Sequence, residues 1–283
     1  MLNGDLKDQA LSELKKAKSS YDTLTDDLAH ESLALFELRQ EISQNLISKV
    51  EGCFSRIANK PKEFDKEFAA CKVHFVEFSA RVAALEKKSA DIDSTAKGTA
   101  GAGAMAGLGV AAFAPSAAMA IATTFGAAST GTAISALSGA AATNAALAWL
   151  GGGALAAGGG GMAAGNALLA LAGPVGWVIG GVALAGSVAY ARHSNEKVAA
   201  DADDARKKLL AAAAELKIAL RTLQELLELT DTHRRGVRDQ LGEVAWFDEL
   251  DFQLMGDEEK NILIALKNNV ESLSKLIQQN ITL

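Results

Sequence analysis

Between Lys97 and Arg192 the chain runs for 94 residues without an Asp, Glu, Lys, Arg or His, so its 62 acidic and basic residues crowd into the other 189. A water-exposed domain needs charge on its outer faces, and a stretch this long without any must be shielded by protein or dissolved in lipid. The asymmetry divides the chain into residues 1–97, 98–191 and 192–283, and the middle part reads as a Gly/Ala-rich, membrane-inserting region between two charged flanks. Both flanks are mildly acidic, and the net charge of -6 argues against indiscriminate phosphate binding while leaving room for a local basic pocket.

The flanks read as long helices. From Leu14 the apolar positions step through Ala17, Tyr21, Leu24 and Leu28, then Leu35, Leu38 and Ile42, with alternating spacings of three and four. The phase then drifts through Leu46, Val50, Phe54 and Ile57 to a bend near Asn59–Pro61. A second helix carries Phe64, Phe68, Cys71, Phe75, Phe78 and Val82 on one side. In the C-terminal flank, Leu209, Ala213, Leu216, Leu220, Leu223 and Leu227 form the strongest heptad seam of the chain, which passes the polar Thr230 and Arg234 before returning to Val237, Leu241 and Val244. Gly256 and Asp257 read as a helix stop and an N-cap, followed by a last amphipathic face through Leu263, Leu266, Val270, Leu273 and Ile277. Such long stripes must pack on each other. The expected fold is all-α: a long antiparallel helical bundle or coiled coil of the 1–97 and 192–283 flanks, with Lys97 and Arg192 at one end and a hydrophobic helical hairpin projecting between them.

In the middle part, which holds 21 of the 26 glycines, residues 102–125, 132–150 and 167–191 are each long enough to cross or nearly cross a bilayer, and 151–161 is the reversal point. Flanks on one side of a membrane require an even number of crossings, which favours a two-crossing hairpin. Gly103 and Gly107, Gly161 and Gly165, and Gly176 and Gly180 are G-x-x-x-G pairs that let helix backbones approach closely. Thr132, Ser135, Gly139 and Thr143 form a small, mildly polar stripe that lines an oligomeric pore or packs another helix. Trp149 and Trp177 are interfacial anchors or ordinary core aromatics.

No catalytic constellation, metal spacing or cofactor loop is found: the four histidines are scattered, and the glycine-rich stretch has no lysine for a phosphate-binding loop. Cys53 and Cys71 lack metal spacing and read as buried thiols. The acidic run from Glu243 to Glu259 is explained by capping and solvation. The polar cluster of most interest is His233, Arg234, Arg235 and Arg238, where the heptad seam turns polar. An arginine forced into a helical interface needs an anionic partner. That partner is either an internal carboxylate such as Asp231 or Glu228, or a phosphate-bearing ligand, with Arg206, Lys207 and Lys208 contributing from elsewhere.

The stretch from Ser138 to Gly165, SGAAATNAALAWLGGGALAAGGGGMAAG, resembles a glycine-rich membrane cassette of bacterial proteins, several of them flanked by long helices. The layout is similar to that of the membrane effectors of the Hailong anti-phage defence family. The resemblance covers mainly residues 130–185 and supplies no ligand residues. It implies an effector linked to a nucleotidyltransferase partner, whose oligonucleotide keeps it silent.

These readings converge on a non-enzymatic membrane effector, made in the cytoplasm and acting at the inner membrane. When triggered it inserts its hairpin into the lipid bilayer, forms a homo-oligomeric channel or lesion, and depolarises the cell in abortive infection. The alternatives are a secreted α-helical pore-forming toxin and a non-lytic coiled-coil membrane tether.

Overall fold

The apolar stripes close a four-helix bundle. The computed structural model describes residues 4–96, Thr124, 188–247 and 250–281, with side chains over 4–83, 124, 195–247 and 250–281, and among these residues there is no strand. Helix α1 spans Gly4–Glu41 and continues through a π-helical turn, Ile42–Leu46, into α2, Ile47–Arg56. After a turn come α3, Lys62–Ala96, α4, Val188–Val244, and α5, Asp257–Gln278.

The π turn explains the drift in apolar phase. Its wider winding, closed by the Ile47 N–H to the Ile42 carbonyl, keeps residues four apart on one side. Ile42, Leu46, Val50 and Phe54 are accordingly all buried. At the end of α2 the chain turns through Asn59, which has a φ of 51°, and α3 returns antiparallel. Phe54 meets Phe64 and Phe68 edge-on, and Lys72 pairs with Glu51 at 2.6 Å. In the other flank Gly256 is the N-cap of α5, and the Glu259 carboxylate reaches back to its N–H at 2.8 Å. α5 then runs antiparallel to α4, with His233 and Gln240 of α4 meeting Asn269 of α5.

Each flank is therefore a helical hairpin, and the two hairpins lie side by side pointing the same way. Glu13 meets Arg206 at 3.6 Å, Glu31 accepts a bond from Gln224 at 3.3 Å, and Glu41 meets Arg238 at 3.8 Å, so α1 and α4 run parallel. α3 and α5 are parallel too, since Glu67 pairs with Lys267 and His74 with Ser274. At the tip the turns join: Ala58 donates to the Leu250 carbonyl at 2.8 Å, and Phe252 donates to the Ala58 carbonyl at 2.9 Å. Successive helices of the bundle therefore alternate in direction, while across the flanks α1 lies parallel to α4 and α3 parallel to α5. Antiparallel packing is satisfied inside each hairpin, which leaves the hairpins free to align with their tips together.

Two clusters fill the interior. Away from the tip, Ala17, Tyr21, Leu28 and Leu35 pack against Leu209, Leu216, Leu223 and Leu226. Toward the tip all four helices contribute, with the Phe64–Val82 face of α3 and the Leu263–Ile277 face of α5 around Val50, Phe54 and Val237.

Among the described residues no helix is long and apolar enough to cross a membrane. α4 has the length, but Asp201, Asp203, Asp204, Arg206, Lys207 and Lys208 put charge on its outer faces, and its apolar stripe is covered by α1 and α5. This corrects the expectation of a membrane effector at the inner membrane with lipid as its partner: the described helices bury their apolar stripes on one another. The pore-forming homo-oligomer and the pore-forming toxin depend on the same insertion and are corrected with it. The nucleotidyltransferase and its oligonucleotide entered through the resemblance to effectors, and no described feature supports them. The projected hairpin itself, with Gly103, Gly107, Thr132, Ser135, Gly139, Thr143, Trp149, Gly161, Gly165, Gly176, Trp177 and Gly180, lies outside the described residues.

Candidate functional site

The basic cluster of α4 is engaged internally. Arg234 donates from Nε and Nη2 to Asp231 at 2.9 and 2.6 Å, Arg235 donates to the other oxygen of Asp231 at 3.0 Å, and Arg238 faces Glu41. Partial burial pushes the Asp231 carboxyl up, but the bonds and charges of Arg234 and Arg235 outweigh it and hold the group below the usual carboxylate range. His233 uses Nδ1 to bond the Asn269 side-chain oxygen at 2.7 Å, and Asn269 donates to Gln240 at 3.1 Å. The second basic group does not join the first. Arg206 and Lys207 pair with Asp203 and Lys208 with Asp204, roughly 40 Å away along α4 at 1.5 Å per residue.

A second polar group joins α3 to α5, where His74 Nδ1 lies 2.7 Å from the Ser274 hydroxyl and the Cys71 thiol shares that hydroxyl. A serine beside a histidine has the elements of a nucleophile and its base. Ser274 is, however, only 2% exposed, so a substrate carbonyl has no path to it in this conformation. Burial raises the Cys71 thiol, which keeps it in the unreactive protonated form. The arrangement fits a packing role. Among the described residues, no group of His, Cys, Asp or Glu is placed to hold a metal ion.

The third group is anomalous. Arg39 is 1% exposed, and no carboxylate partners it among the described residues. Its Nη2 donates to the Leu276 and Gln279 carbonyls, both at 2.7 Å, at the C-terminal end of α5. The negative end of the α5 dipole offsets part of the charge. Nε and Nη1 are buried with no partner among the described residues. Burial pushes the Arg39 pKa down to about 9, and the positive charge of Arg81 adds to the effect. Two residues beyond Gln279, the Ile281 N–H donates to the carbonyl of Thr124 at 2.9 Å. Thr124 is fully buried, and its hydroxyl also lacks a partner among the described residues. The 276–281 tail thus connects a buried cation of α1 to Thr124 of the uncharged region.

The arginine sealed in the interior is Arg39 of α1 and not Arg234 of α4, whose side chain is 17% exposed. The three-four step from Leu28 runs through Ser32, Leu35, Arg39 and Ile42, so Arg39 stands on the buried stripe of α1 as plainly as Arg234 does on α4. Arg234 escapes through Asp231, one helical turn before it; Arg39 has no acidic residue three or four positions before or after it. Thr124 carried no signal, because its partner is a backbone N–H that is remote in sequence. No protein-family model, no curated protein and no solved structure matches this chain.

Proposed function

We propose that the chain is a non-catalytic helical clamp. Its two hairpins close on each other and hold the uncharged 98–187 region through the 276–281 tail. The observation that carries this reading is the buried bond from Ile281 to the Thr124 carbonyl, made by a tail that Arg39 fixes at Gln279. A clamp suits the composition: a region without charge needs protein to cover it, and flanks folded as one bundle keep both of its ends anchored.

The test is a crosslink. In a chain lacking the native cysteines, Thr124→Cys with Ile281→Cys is expected to form a disulfide on mild oxidation and to raise the unfolding midpoint. Cleavage of residues 98–187 by a protease that cuts after small residues is expected to speed up in Arg39→Met. The absence of both the crosslink and the change in cleavage would sink the clamp. Trypsin is uninformative here, because that region offers it no Lys or Arg.

A second reading is favoured by the tip, where Trp246 is 86% and Leu254 70% exposed. Beside them lies an open groove of about 510 Å³, lined by Gln240, Glu243, Glu258, Asn261, Ile262 and Ala265. Neither Glu243 nor Glu258 has an ion pair among the described residues, and the nearby Lys260 is turned onto the Phe252 ring. An exposed indole beside unpaired carboxylates suits a protein segment bearing Lys or Arg next to an apolar residue. Titration with a Lys/Phe peptide should shift the emission of Trp246 in a salt-sensitive way. An equal shift in Trp246→Phe would discard this reading.

A further inference from the structure

An arginine sealed from water keeps its positive charge at neutral pH, since even the lowered pKa of about 9 leaves it protonated. A buried cation of this kind needs a counter-charge. The described residues supply two carbonyl oxygens and, against them, the like charge of Arg81. Buried donors left unpaired in a native fold commonly mark an ordered water or ion. Two separate side chains that meet the 276–281 tail have buried polar atoms with no partner among the described residues, Arg39 at Nε and Nη1 and Thr124 at its hydroxyl. Both are held by the same short tail, at Gln279 and at Ile281.

We infer that Arg39 and Thr124 frame a buried site for one small inorganic anion of the halide class. The geometry of the guanidinium selects the class. Its five N–H groups form two two-donor edges, and Nη2 belongs to both. Because Nη2 is committed to the Leu276 and Gln279 carbonyls, neither edge remains free for the paired grip that carboxylate and phosphate receive. A monatomic anion needs only single donors, which Nε or Nη1 and the threonine hydroxyl provide. The near-complete burial of both residues also favours a small ion. Water would satisfy the donors and leave the charge of Arg39 unbalanced. The bound ion would tie α1, the end of α5 and the uncharged region together, which deepens the clamp reading and rests on it for the role of Thr124.

The experiment follows the unfolding midpoint of the full chain against rising chloride or bromide, with ionic strength held constant by a bulky anion such as gluconate. A saturable rise with halide is expected. Thr124→Val, which keeps shape and loses the hydroxyl, should raise the half-saturating concentration roughly tenfold, about the value of one hydrogen bond to a charged group. Arg81→Gln should also raise it by lowering the local positive potential. Arg39→Met should remove the dependence altogether, and if that variant fails to fold the other two decide. A midpoint that ignores the identity of the anion overturns the site, as does a halide response unchanged in every variant that folds. Failure of the Thr124–Ile281 crosslink, with the halide response still weakened by Arg81→Gln, would remove the clamp and keep an anion at Arg39.

Discussion

At the scale of single residues, Gly236 shows how a small residue is set by its neighbour. A Cβ there would stand 2.9 Å from the Asn269 side-chain nitrogen, so Asn269 would have to move off the bonds it makes with His233 and Gln240. Alanine in a helix gains about 1 kcal/mol over glycine, and losing one or two such bonds costs about 1–2 kcal/mol. Gly236→Ala is therefore expected to be neutral or mildly destabilising in chemical denaturation. In an Asn269→Ala background the same change should stabilise by up to about 1 kcal/mol. Tyr21 gives a prediction in pH. Burial raises its hydroxyl to about 12, with the Asp22 charge adding and a bond with Thr25 opposing. The folded state then holds its proton where the unfolded chain, with a pKa of about 10, has lost it. Stability contributed by neutral Tyr21 is full below pH 10 and falls as pH rises toward 12, by an amount on the order of 2 kcal/mol. Tyr21→Phe should flatten that part of the stability profile.

At the scale of elements, the two turns at the tip do more than reverse their helices. Asn59 holds a left-handed backbone while its side-chain amide bonds Asp251 of the other turn at 2.6 Å, and Asp251 also caps the Gln253 N–H at 3.0 Å. Asn59→Ala loses the bond and keeps an unfavourable backbone, whereas Asn59→Gly loses the bond and relieves it. Alanine should therefore cost about 1 kcal/mol more than glycine, measured as the shift in denaturation midpoint at unchanged slope. The helices themselves were largely legible. The buried stripes of α3 and α5 are the periodic positions and the bend at Asn59–Pro61 follows from its residue types, while the N-cap of α5 falls at Gly256, one residue before the expected Asp257. The π turn appeared in the sequence only as a drifting phase, because its cause is the handover of one helix from a single neighbour to a four-helix core.

At the scale of the whole molecule, the direction of the flanks is the finding open to the simplest check. With native cysteines replaced, a short thiol crosslinker should join Glu13→Cys to Arg206→Cys. It should fail for Glu13→Cys with Arg238→Cys, whose partners stand about 48 Å apart along α4 at 1.5 Å per residue. The reverse pattern would make α1 and α4 antiparallel. By itself the sequence determined that the flanks are helical, which faces they bury, where each hairpin turns, and that an uncharged region separates them, because these depend on local spacing and residue chemistry. Only the tertiary structure decided that α1 and α4 run parallel, that Asp231 neutralises Arg234 and Arg235, and that Arg39 is the cation sealed in the interior against a tail that reaches Thr124. An apolar stripe reads the same in either direction, and the partner of a buried charge is fixed only when helices distant in the chain come into contact.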